Sequence, residues 1–378
     1  MSGPLQGLRV LELARILAGP WAGQTLADLG ADVIKVESPA GDDTRGWGPP
    51  FVDQDGTPSA AYFQSCNRGK SSVVADLKNA EDCARVAALA AEADVVIENF
   101  KKGGLAKFGL DYDTLSTANP ALVYCSITGF GQSGPRASEP GYDLLIQAMS
   151  GIMDATGSAD GPPTKMGVAF ADIFSGLYTV IAVQAALAER GVSGRGQHID
   201  ISLFDCMLSV LANQAQNYFA TGKTPKRKGN AHPNLMPYEM FEAKDGPFVI
   251  AAGNDGQFRA LSGVLGLDAD LIQRFATNAA RVEGRAQVFD ALSEKTRTWS
   301  RDALIDRLTK AGVPAGPINT VQEALSDPQT EWRRMVIAPE GDTGIRTPIA
   351  FSRSSLTLER GVPSLGTTQL AKVNWRTE

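Results

Sequence analysis

The order of apolar segments in the first 130 residues limits the fold more strongly than any other feature. Strand-like runs alternate there with helical patterns: strands are predicted at 9–13, 32–37, 94–98 and 121–127, and helices at 22–29 and 79–91. This alternation is typical of a parallel sheet covered by helices. The sequence therefore predicts an α/β fold.

The pattern continues towards residue 220 and then changes. Helices are predicted at 144–155, 173–189 and 203–219, around a strand at 197–202. Residues 221–237 are rich in Gly, Pro, Lys and Asn and are predicted to be a linker, as are residues 313–324. Between them, a strand at 248–252 and helices at 257–265, 270–275, 282–293 and 301–311 predict a small α+β domain at 238–312. The tail, 325–378, is strand-like and is expected to complete the large domain formed by residues 1–220.

Composition and charge exclude several classes of protein. The chain has 378 residues, 43% of them hydrophobic, and a net charge of -6, which argues against a nucleic-acid surface. The N-terminus does not resemble a signal peptide, and the apolar stretch at 177–187 is too short to span a membrane. We expect a cytoplasmic protein with neither a nucleic-acid nor a membrane partner.

Cysteine and histidine are scarce. The four cysteines show no C-x-x-C spacing, which disfavours a zinc site and a disulfide scaffold. Only two histidines are present, so a multi-histidine metal site is excluded and a Ser-His-Asp triad has few candidates. His198 lies in a strand pattern and is interpreted as structural. No metal site is predicted.

One carboxylate, Asp172, lies where a loop of small residues gives way to a long apolar helix pattern. Aspartate is favoured at helix N-termini, where it accepts hydrogen bonds from free backbone N–H groups. The same position suits a nucleophile. The residues around Asp172 leave both interpretations open.

The first strand-turn-helix unit has some features of a dinucleotide site. Glu37 ends the second strand, about where a ribose-binding acid would lie. The turn at 14–23 lacks the G-x-G-x-x-G glycines that let the backbone approach a pyrophosphate. An NAD-dependent enzyme is therefore disfavoured.

Several segments together resemble the class III CoA transferases, also called the CaiB/BaiF family. The resemblance runs in order over nearly the whole chain, through 13–20 (LARILAGP), 30–37 (GADVIKVE), 41–45 (GDDTR), 66–71 (CNRGKS), 98–100 (ENF), 126–131 (SITGFG), 141–143 (GYD), 171–172 (AD) and 229–234 (GNAHPN). It implies a large Rossmann-like domain built from both ends of the chain, a smaller α+β domain, and an interlocked homodimer.

The resemblance also implies roles for individual residues. The nucleophilic aspartate of the family falls on Asp172, and we expect it to be exposed and ionised near neutrality, with a reference pKa of about 3.9. Coenzyme A enters as a thioester substrate, and no cofactor is predicted. The positions that line the CoA site of the family are Arg15, Ile16, Ala18, Asn99, Phe100, Lys107, Phe108, Tyr142 and Asp143.

The chemistry of these side chains suits that assignment. Arg15 and Lys107 can neutralise phosphates, and Phe100 or Phe108 can pack an adenine or the pantetheine arm. Asp143 either positions a CoA or substrate group or caps the helix that follows it. The loop at 229–237 is a candidate lid, in which His232 braces the chain or contributes to the site.

Two departures narrow the activity. Formyl-CoA transferases carry a glutamine where this chain has Leu17, which puts the formyl/oxalyl pair in doubt. Racemases of the same fold use a histidine where this chain has Tyr142, whose reference pKa of about 10 makes it a poor base. With these departures, the resemblance implies transfer of CoA from a donor such as succinyl-CoA to a carboxylic acid, through an aspartyl-CoA thioester. A 2-methylacyl-CoA racemase is the main alternative, and a non-catalytic acyl-CoA-binding protein is another.

Overall fold

The computed structural model describes residues 3–54 and 56–376. The chain divides into two compact units, and the first contains the chain up to Ile152, then Lys165–Gln216, and the chain from Pro328 onwards. The second unit contains Met153–Thr164 and Asn217–Asp327. The two predicted linkers, 221–237 and 313–324, both lie within the second unit.

Strands and helices are numbered in chain order along the described residues. Strands β1 to β13 are Arg9–Leu13, Asp32–Glu37, Phe51–Gln54, Thr57–Ala60, Ser71–Val74, Val95–Glu98, Val123–Thr128, His198–Ser202, Tyr238–Ala243, Gly246–Ala251, Ala315–Pro317, Val336–Ile337 and Gly344–Ile345. Helices α1 to α16 are Ala18–Asp28, Ala61–Gln64, Ala80–Glu92, Tyr112–Ala118, Asp143–Met149, Ile152–Ala155, Phe170–Ser193, Leu203–Ser209, Ala212–Thr221, Asp255–Leu265, Ala269–Arg274, Asn278–Glu283, Arg285–Thr296, Arg301–Lys310, Val321–Leu325 and Pro328–Trp332.

The first unit is built on a six-stranded sheet in the order β5-β2-β1-β6-β7-β8. All five pairs of neighbouring strands are parallel, which confirms the predicted α/β fold. When the six strands are counted along the chain, their order is 3-2-1-4-5-6, the order of Rossmann-type domains. Strands β2 and β5 lie on one side of β1, and the strands from β6 onwards lie on its other side, so the strand order reverses between β1 and β6. In such sheets a crevice opens at that point, beyond the carboxyl ends of the strands.

Both faces of this sheet are covered by apolar side chains. Successive residues of a strand point to opposite faces, so Val10 and Val33 pack in one cluster with α1 and α7, while Leu11 and Ile34 pack in another with α3. Burial on both faces explains why adjacent residues are apolar in each strand, Val10 and Leu11 in β1 and Val33 and Ile34 in β2.

Charged side chains are also buried beside β1. Lys35 Nζ lies 3.0 Å from Glu12 Oε1 and 2.9 Å from Asp42 Oδ2, and Lys70 Nζ lies 2.8 Å from Glu12 Oε2. Burial alone would lower the pKa of Lys35, but the carboxylates of Glu12, Asp42 and Glu37 together raise it. This network ties β1, β2 and the loop after β2 together beneath the carboxyl end of the sheet.

Helices α1 and α7 pack closely because a glycine lies at their contact. A Cβ atom on Gly176 would lie only 2.8 Å from the backbone oxygen of Ala18. Asp172 precedes Gly176 by four residues, which is about one helical turn, so both lie on the same side of α7. The absence of a side chain at Gly176 therefore brings Asp172 towards the start of α1.

The second unit has a three-stranded sheet in the order β11-β10-β9, with antiparallel pairing. Helices α10 to α14 supply much of its apolar cluster, in which Phe241, Phe248 and Phe258 are almost fully buried.

Several element predictions differ from the structure. The helix predicted at 144–155 is two helices, α5 and α6, and the helix predicted at 282–293 covers parts of α12 and α13. The helix predicted at 203–219 is two helices, α8 and α9, because Ala212 has a left-handed backbone conformation with φ of 44°. Helix α1 begins four residues before the predicted start, since Pro20 is tolerated in a first helical turn. Among its described residues, the tail predicted to be strand-like forms helix α16, a 3-10 turn at Pro339–Gly341 and only the two-residue strands β12 and β13, and the rest is irregular.

Helix α7 is longer than the predicted apolar stretch. By length and composition alone it is long enough to cross a membrane. Its residues Ser175, Thr179, Val180 and Val183 are buried in the first unit. Of its most apolar stretch 39% is buried, so one side of α7 belongs to the core of the first unit and the other side is exposed.

Candidate active site

A cavity of about 660 Å³ opens in the first unit at the reversal point of the sheet. It is bounded by the turn after β1, the turn after β6 and the end of β7. Its lining includes every residue predicted for the nucleophile and the CoA contacts: Arg15, Ile16, Ala18, Asn99, Phe100, Lys107, Phe108, Tyr142, Asp143 and Asp172. Side chains that are far apart in the sequence are thus gathered in one cavity. The position and volume are typical of a small-molecule site.

The turn after β1 is strained. Ile16 has φ of 72°, which is rare for a β-branched residue and costs on the order of 1–3 kcal/mol. Its N–H donates to both Asp42 carboxylate oxygens at 3.2 Å. Asp42 is in turn paired with the buried Lys35, so the charge network of the sheet holds this turn.

The turn after β6 is joined to the turn after β1 by one side chain. Asn99 Oδ1 accepts from the Arg15 N–H at 3.0 Å, and Asn99 Nδ2 donates to the Arg15 carbonyl at 2.7 Å. The next residue, Phe100, donates its N–H to the Glu98 carboxylate at 2.7 Å. Asn99 therefore fixes the shape of the cavity through the backbone.

Cations surround the cavity. Arg15 is exposed and pairs with Asp43 at 2.8 Å, while the Lys107 ammonium lies 4.8 Å from the centre of the Phe108 ring. Lys101 and Lys102 also line the cavity and were not among the predicted contacts. Two adjacent lysines after a strand are common in sequences, so this pair gave no distinctive signal of a binding site.

Asp172 is the third residue of α7 and makes no N-terminal cap. The cap position is Ala169, and no side chain of the cap residue bonds the helix. Asp172 is partly buried, which corrects the expectation of an exposed side chain. Burial, followed by the nearby Asp143 carboxylate, raises its pKa to about 7. The carboxyl group is thus divided between its acid and its ionised form near neutral pH.

Asp143 caps α7 from another helix. Its Oδ1 accepts a hydrogen bond from the Ala171 N–H at 2.8 Å, and its Oδ2 accepts one from Gln147 Nε2 at 2.8 Å. Asp143 is itself the first residue of α5, whose cap residue is Tyr142. The structure therefore shows Asp143 capping the helix of the candidate nucleophile, instead of the helix that follows it.

Tyr62 is a further neighbour of Asp172 that the sequence did not indicate. Burial, followed by the Asp172 carboxylate, raises the pKa of Tyr62 to about 12. Its ring contacts Trp47 edge to face, with centroids 5.3 Å apart. Tyr62 lies on the short helix α2, a hundred residues before α7, and only the fold brings the two side chains together.

His232 braces its own loop in the second unit. Its Nδ1 accepts from the Asn234 N–H at 3.0 Å, and its carbonyl accepts from Arg285 at 2.7 Å. The role of the 229–237 loop as a lid stays a prediction.

Taken together, the strand order and the cavity define an α/β protein with a cavity of small-molecule size at the reversal point of a parallel sheet, lined by the Asp172 and Asp143 carboxyl groups. The sequence profile of CoA-transferase family III matches residues 5–369. The chain belongs to this family, and it is a CoA-transferase that acts on an acyl-CoA donor and a carboxylate acceptor.

Individual relatives agree with this assignment. The chain is 54% identical to a succinate–glutarate CoA-transferase of Agrobacterium fabrum, over 97% of this chain and 94% of the relative. It is 41% identical to an acetyl-CoA:oxalate CoA-transferase of Acetobacter aceti, over 96% of this chain and 93% of the relative. The crystal structure of a CaiB/BaiF family protein from Brucella suis has a TM-score of 0.88 at 60% identity, with 97% of each chain covered. The predicted family and the predicted CoA transfer are confirmed.

Proposed function

We propose that this enzyme transfers CoA from succinyl-CoA to a five-carbon dicarboxylate such as glutarate, with Asp172 as the nucleophile. The relative named for succinate and glutarate shares 54% of its residues with this chain, against 41% for the relative named for oxalate. Leu17, which replaces the glutamine of formyl-CoA transferases, likewise disfavours the smaller acids.

The observation that carries the proposal is the place of Asp172. Its carboxylate lies in the same cavity as all nine predicted CoA contacts. Partial burial removes water from the carboxylate, and a poorly solvated carboxylate is a better nucleophile. The pKa of about 7 leaves enough of the ionised form for attack at neutral pH.

The reaction proceeds in four steps. The Asp172 carboxylate attacks the thioester carbonyl of succinyl-CoA, the C–S bond breaks, and CoA thiolate leaves a succinyl-aspartyl anhydride. The thiolate then attacks the aspartyl carbonyl and releases succinate, which leaves an aspartyl-CoA thioester. The acceptor carboxylate attacks this thioester, forming a second anhydride and freeing the thiolate again. Attack of the thiolate on the acceptor carbonyl gives the new acyl-CoA and restores the Asp172 carboxylate.

The cavity walls suit the long CoA molecule. Arg15, Lys101, Lys102 and Lys107 provide cations for its phosphates, and Phe100 and Phe108 provide apolar faces for its adenine or pantetheine. These contacts hold the thioester while the anhydrides form. Keeping water out of the cavity protects both intermediates from hydrolysis.

An interlocked homodimer in the cytoplasm is part of the proposal. The outer side of α7 exposes Leu177, Tyr178 and Ile181, and α9 exposes Phe219 at 73% of its surface. Such apolar patches mark protein interfaces. A second copy of the chain covering them would also explain why α7 is so apolar.

The proposal is tested by incubating the protein with succinyl-CoA and one acid at a time, and by following the acyl-CoA products by mass spectrometry. We expect glutaryl-CoA to form in the presence of glutarate, with far less oxalyl-CoA from oxalate. A parallel incubation of a 2-methylacyl-CoA in deuterated water tests the racemase alternative. Deuterium uptake at the α-carbon without any acceptor, and no glutaryl-CoA, would contradict the proposal.

A further inference from the structure

The buried side-chain amide of Gln147 joins helix α5 to the loop that precedes Asp172. Gln147 lies on α5 and has none of its surface exposed. Its Nε2 donates to Asp143 Oδ2 at 2.8 Å, and its Oε1 accepts from the Met166 N–H at 2.9 Å. Both ends of the amide are thus used, one on a carboxylate and one on the backbone of the loop before α7.

The same network continues to the nucleophile helix. Asp143 Oδ1 accepts from the Ala171 N–H at 2.8 Å, directly beside Asp172. The first N–H groups of a helix lack partners within the helix, and Ala169 at the cap position has no side-chain oxygen to supply one. Asp143 supplies that acceptor only if its carboxylate is held in this orientation, and Gln147 is the side chain that holds its other oxygen.

We propose that Gln147 is a positioning residue for the transfer reaction, which fixes the Asp143 carboxylate and the 166–171 segment so that Asp172 faces the thioester. Gln147 does not line the cavity, so it acts through Asp143 and not on the substrate. The proposal rests on the proposed role of Asp172 as nucleophile.

The orientation of the Asp143 carboxylate affects the ionisation of Asp172. Two titratable groups, Asp143 and Tyr62, interact electrostatically with Asp172. The Asp143 carboxylate opposes ionisation of Asp172, and its effect depends on how near Gln147 keeps it. Loss of the Gln147 amide frees Asp143 to turn away, and a weaker opposing charge makes Asp172 ionise at lower pH.

The test compares Gln147→Leu with a matched control, Gln24→Leu. Gln24 is also buried, donates to the Ser65 carbonyl at 3.2 Å and accepts from the Arg68 N–H at 2.9 Å, but it touches neither the cavity nor Asp143. Both substitutions remove a buried bridging amide. Only the first is expected to change catalysis.

For Gln147→Leu we expect kcat to fall about 10- to 100-fold, since a misplacement of about 1 Å can cost that much. KM for succinyl-CoA should stay within about threefold of the wild type, because no substrate contact is lost. The midpoint of the pH profile of kcat/KM should move about half a pH unit or more towards acid. Gln24→Leu should keep the wild-type kcat and midpoint. A Gln147→Leu protein with wild-type kcat and midpoint, or the same losses in Gln24→Leu, would overturn the proposal.

A second variant covers the case in which Gln147→Leu does not fold. Gln147→Glu keeps an acceptor for Met166 and donates to Asp143 only while it is protonated, so its activity should fall again at high pH and give a bell-shaped profile. A wild-type profile in Gln147→Glu would overturn the inference. Asp172→Asn is measured in parallel: if it retains activity, the proposed function itself fails, whereas an inactive Asp172→Asn beside a normal Gln147→Leu rejects the positioning role alone.

Discussion

Asp143 Oδ1 accepts a hydrogen bond from the Ala171 N–H at 2.8 Å, and this bond caps the helix that carries Asp172. The same Asp143 carboxylate opposes the ionisation of Asp172. The Asp143 side chain thereby caps the helix of the candidate nucleophile and adds to the rise in the pKa of Asp172 that burial causes. The two effects are separable, because the first needs only an oxygen acceptor and the second needs a charge.

Asp143→Asn removes the charge and keeps an oxygen that can accept from Ala171. We expect the midpoint of the kcat/KM profile to move towards acid, because the carboxylate of Asp172 then ionises without an opposing charge. Asp143→Ala removes both, and it should also destabilise the protein by about 1 kcal/mol through the lost cap. A midpoint that is the same in wild type and Asp143→Asn would show that the Asp143 charge does not act on Asp172.

The activity of the wild type should depend on pH through Asp172. Attack requires the carboxylate, and the pKa of Asp172 is about 7, so kcat/KM should rise from pH 5.5 to about 7 and level off above about pH 8. An ordinary surface aspartate would give full activity from about pH 5 upwards. Steady-state rates with succinyl-CoA across this range distinguish the two, and a flat profile would contradict the burial of the nucleophile.

Burial of Asp172 should lower the free energy of unfolding of the protein at and above neutral pH. Its folded pKa of about 7 is above the unfolded value of about 3.9, so the folded protein binds the proton more tightly and loses stability as the pH rises between these values. Asp172→Asn has no charge to bury. We expect it to be more stable than the wild type at pH 8 by on the order of 2–4 kcal/mol, and to differ little at pH 4. Urea unfolding at equal protein concentration measures the difference, and a wild type that is the more stable protein at pH 8 would refute the prediction.

Gly176 should be needed for the approach of α7 to α1. In Gly176→Ala the new methyl group would lie 2.8 Å from the Ala18 oxygen and 3.1 Å from Trp21 Cδ1, so the helices must separate. We expect a loss of about 1–3 kcal/mol in stability and a lower kcat, because Asp172 moves with α7. Gly191→Ala is the control on the same helix: its methyl group meets no atom within 4 Å, and it should stabilise α7 by about 0.5–1 kcal/mol. Equal behaviour of the two variants would exclude a role for the close helix contact.

The sequence predicted those parts of the fold that are set by local pattern. The bounds of β1 and β2 match the prediction because each strand has adjacent apolar residues, Val10 and Leu11 or Val33 and Ile34, that are buried on the two faces of the sheet. The break between α8 and α9 was missed, because a single left-handed alanine leaves no mark on an apolar periodicity. The irregular tail was misjudged for a related reason, since β-prone residues there lack neighbouring strands to pair with.

In the candidate site, too, the features set by local sequence were predicted and those set by contacts between segments were not. Family resemblance identified Asp172 and the residues that gather around the cavity, because their motifs are contiguous in the chain. The interaction of Tyr62 with Asp172 joins distant segments, and the bond from Met166 to Gln147 joins the loop before α7 to α5; no local pattern indicates either. The burial of Asp172 was missed for that reason too, because the elements that shield it come from elsewhere in the chain.

A peptide mass map after incubation with succinyl-CoA and hydroxylamine identifies the carboxyl group that reacts, because hydroxylamine converts an activated carboxyl group into a stable hydroxamate. We expect a hydroxamate on the peptide that contains Asp172, formed only when succinyl-CoA is present and absent from Asp172→Asn. A hydroxamate on another carboxylate such as Asp143, or none on Asp172 while glutaryl-CoA is still formed, would contradict the role of Asp172 as the nucleophile.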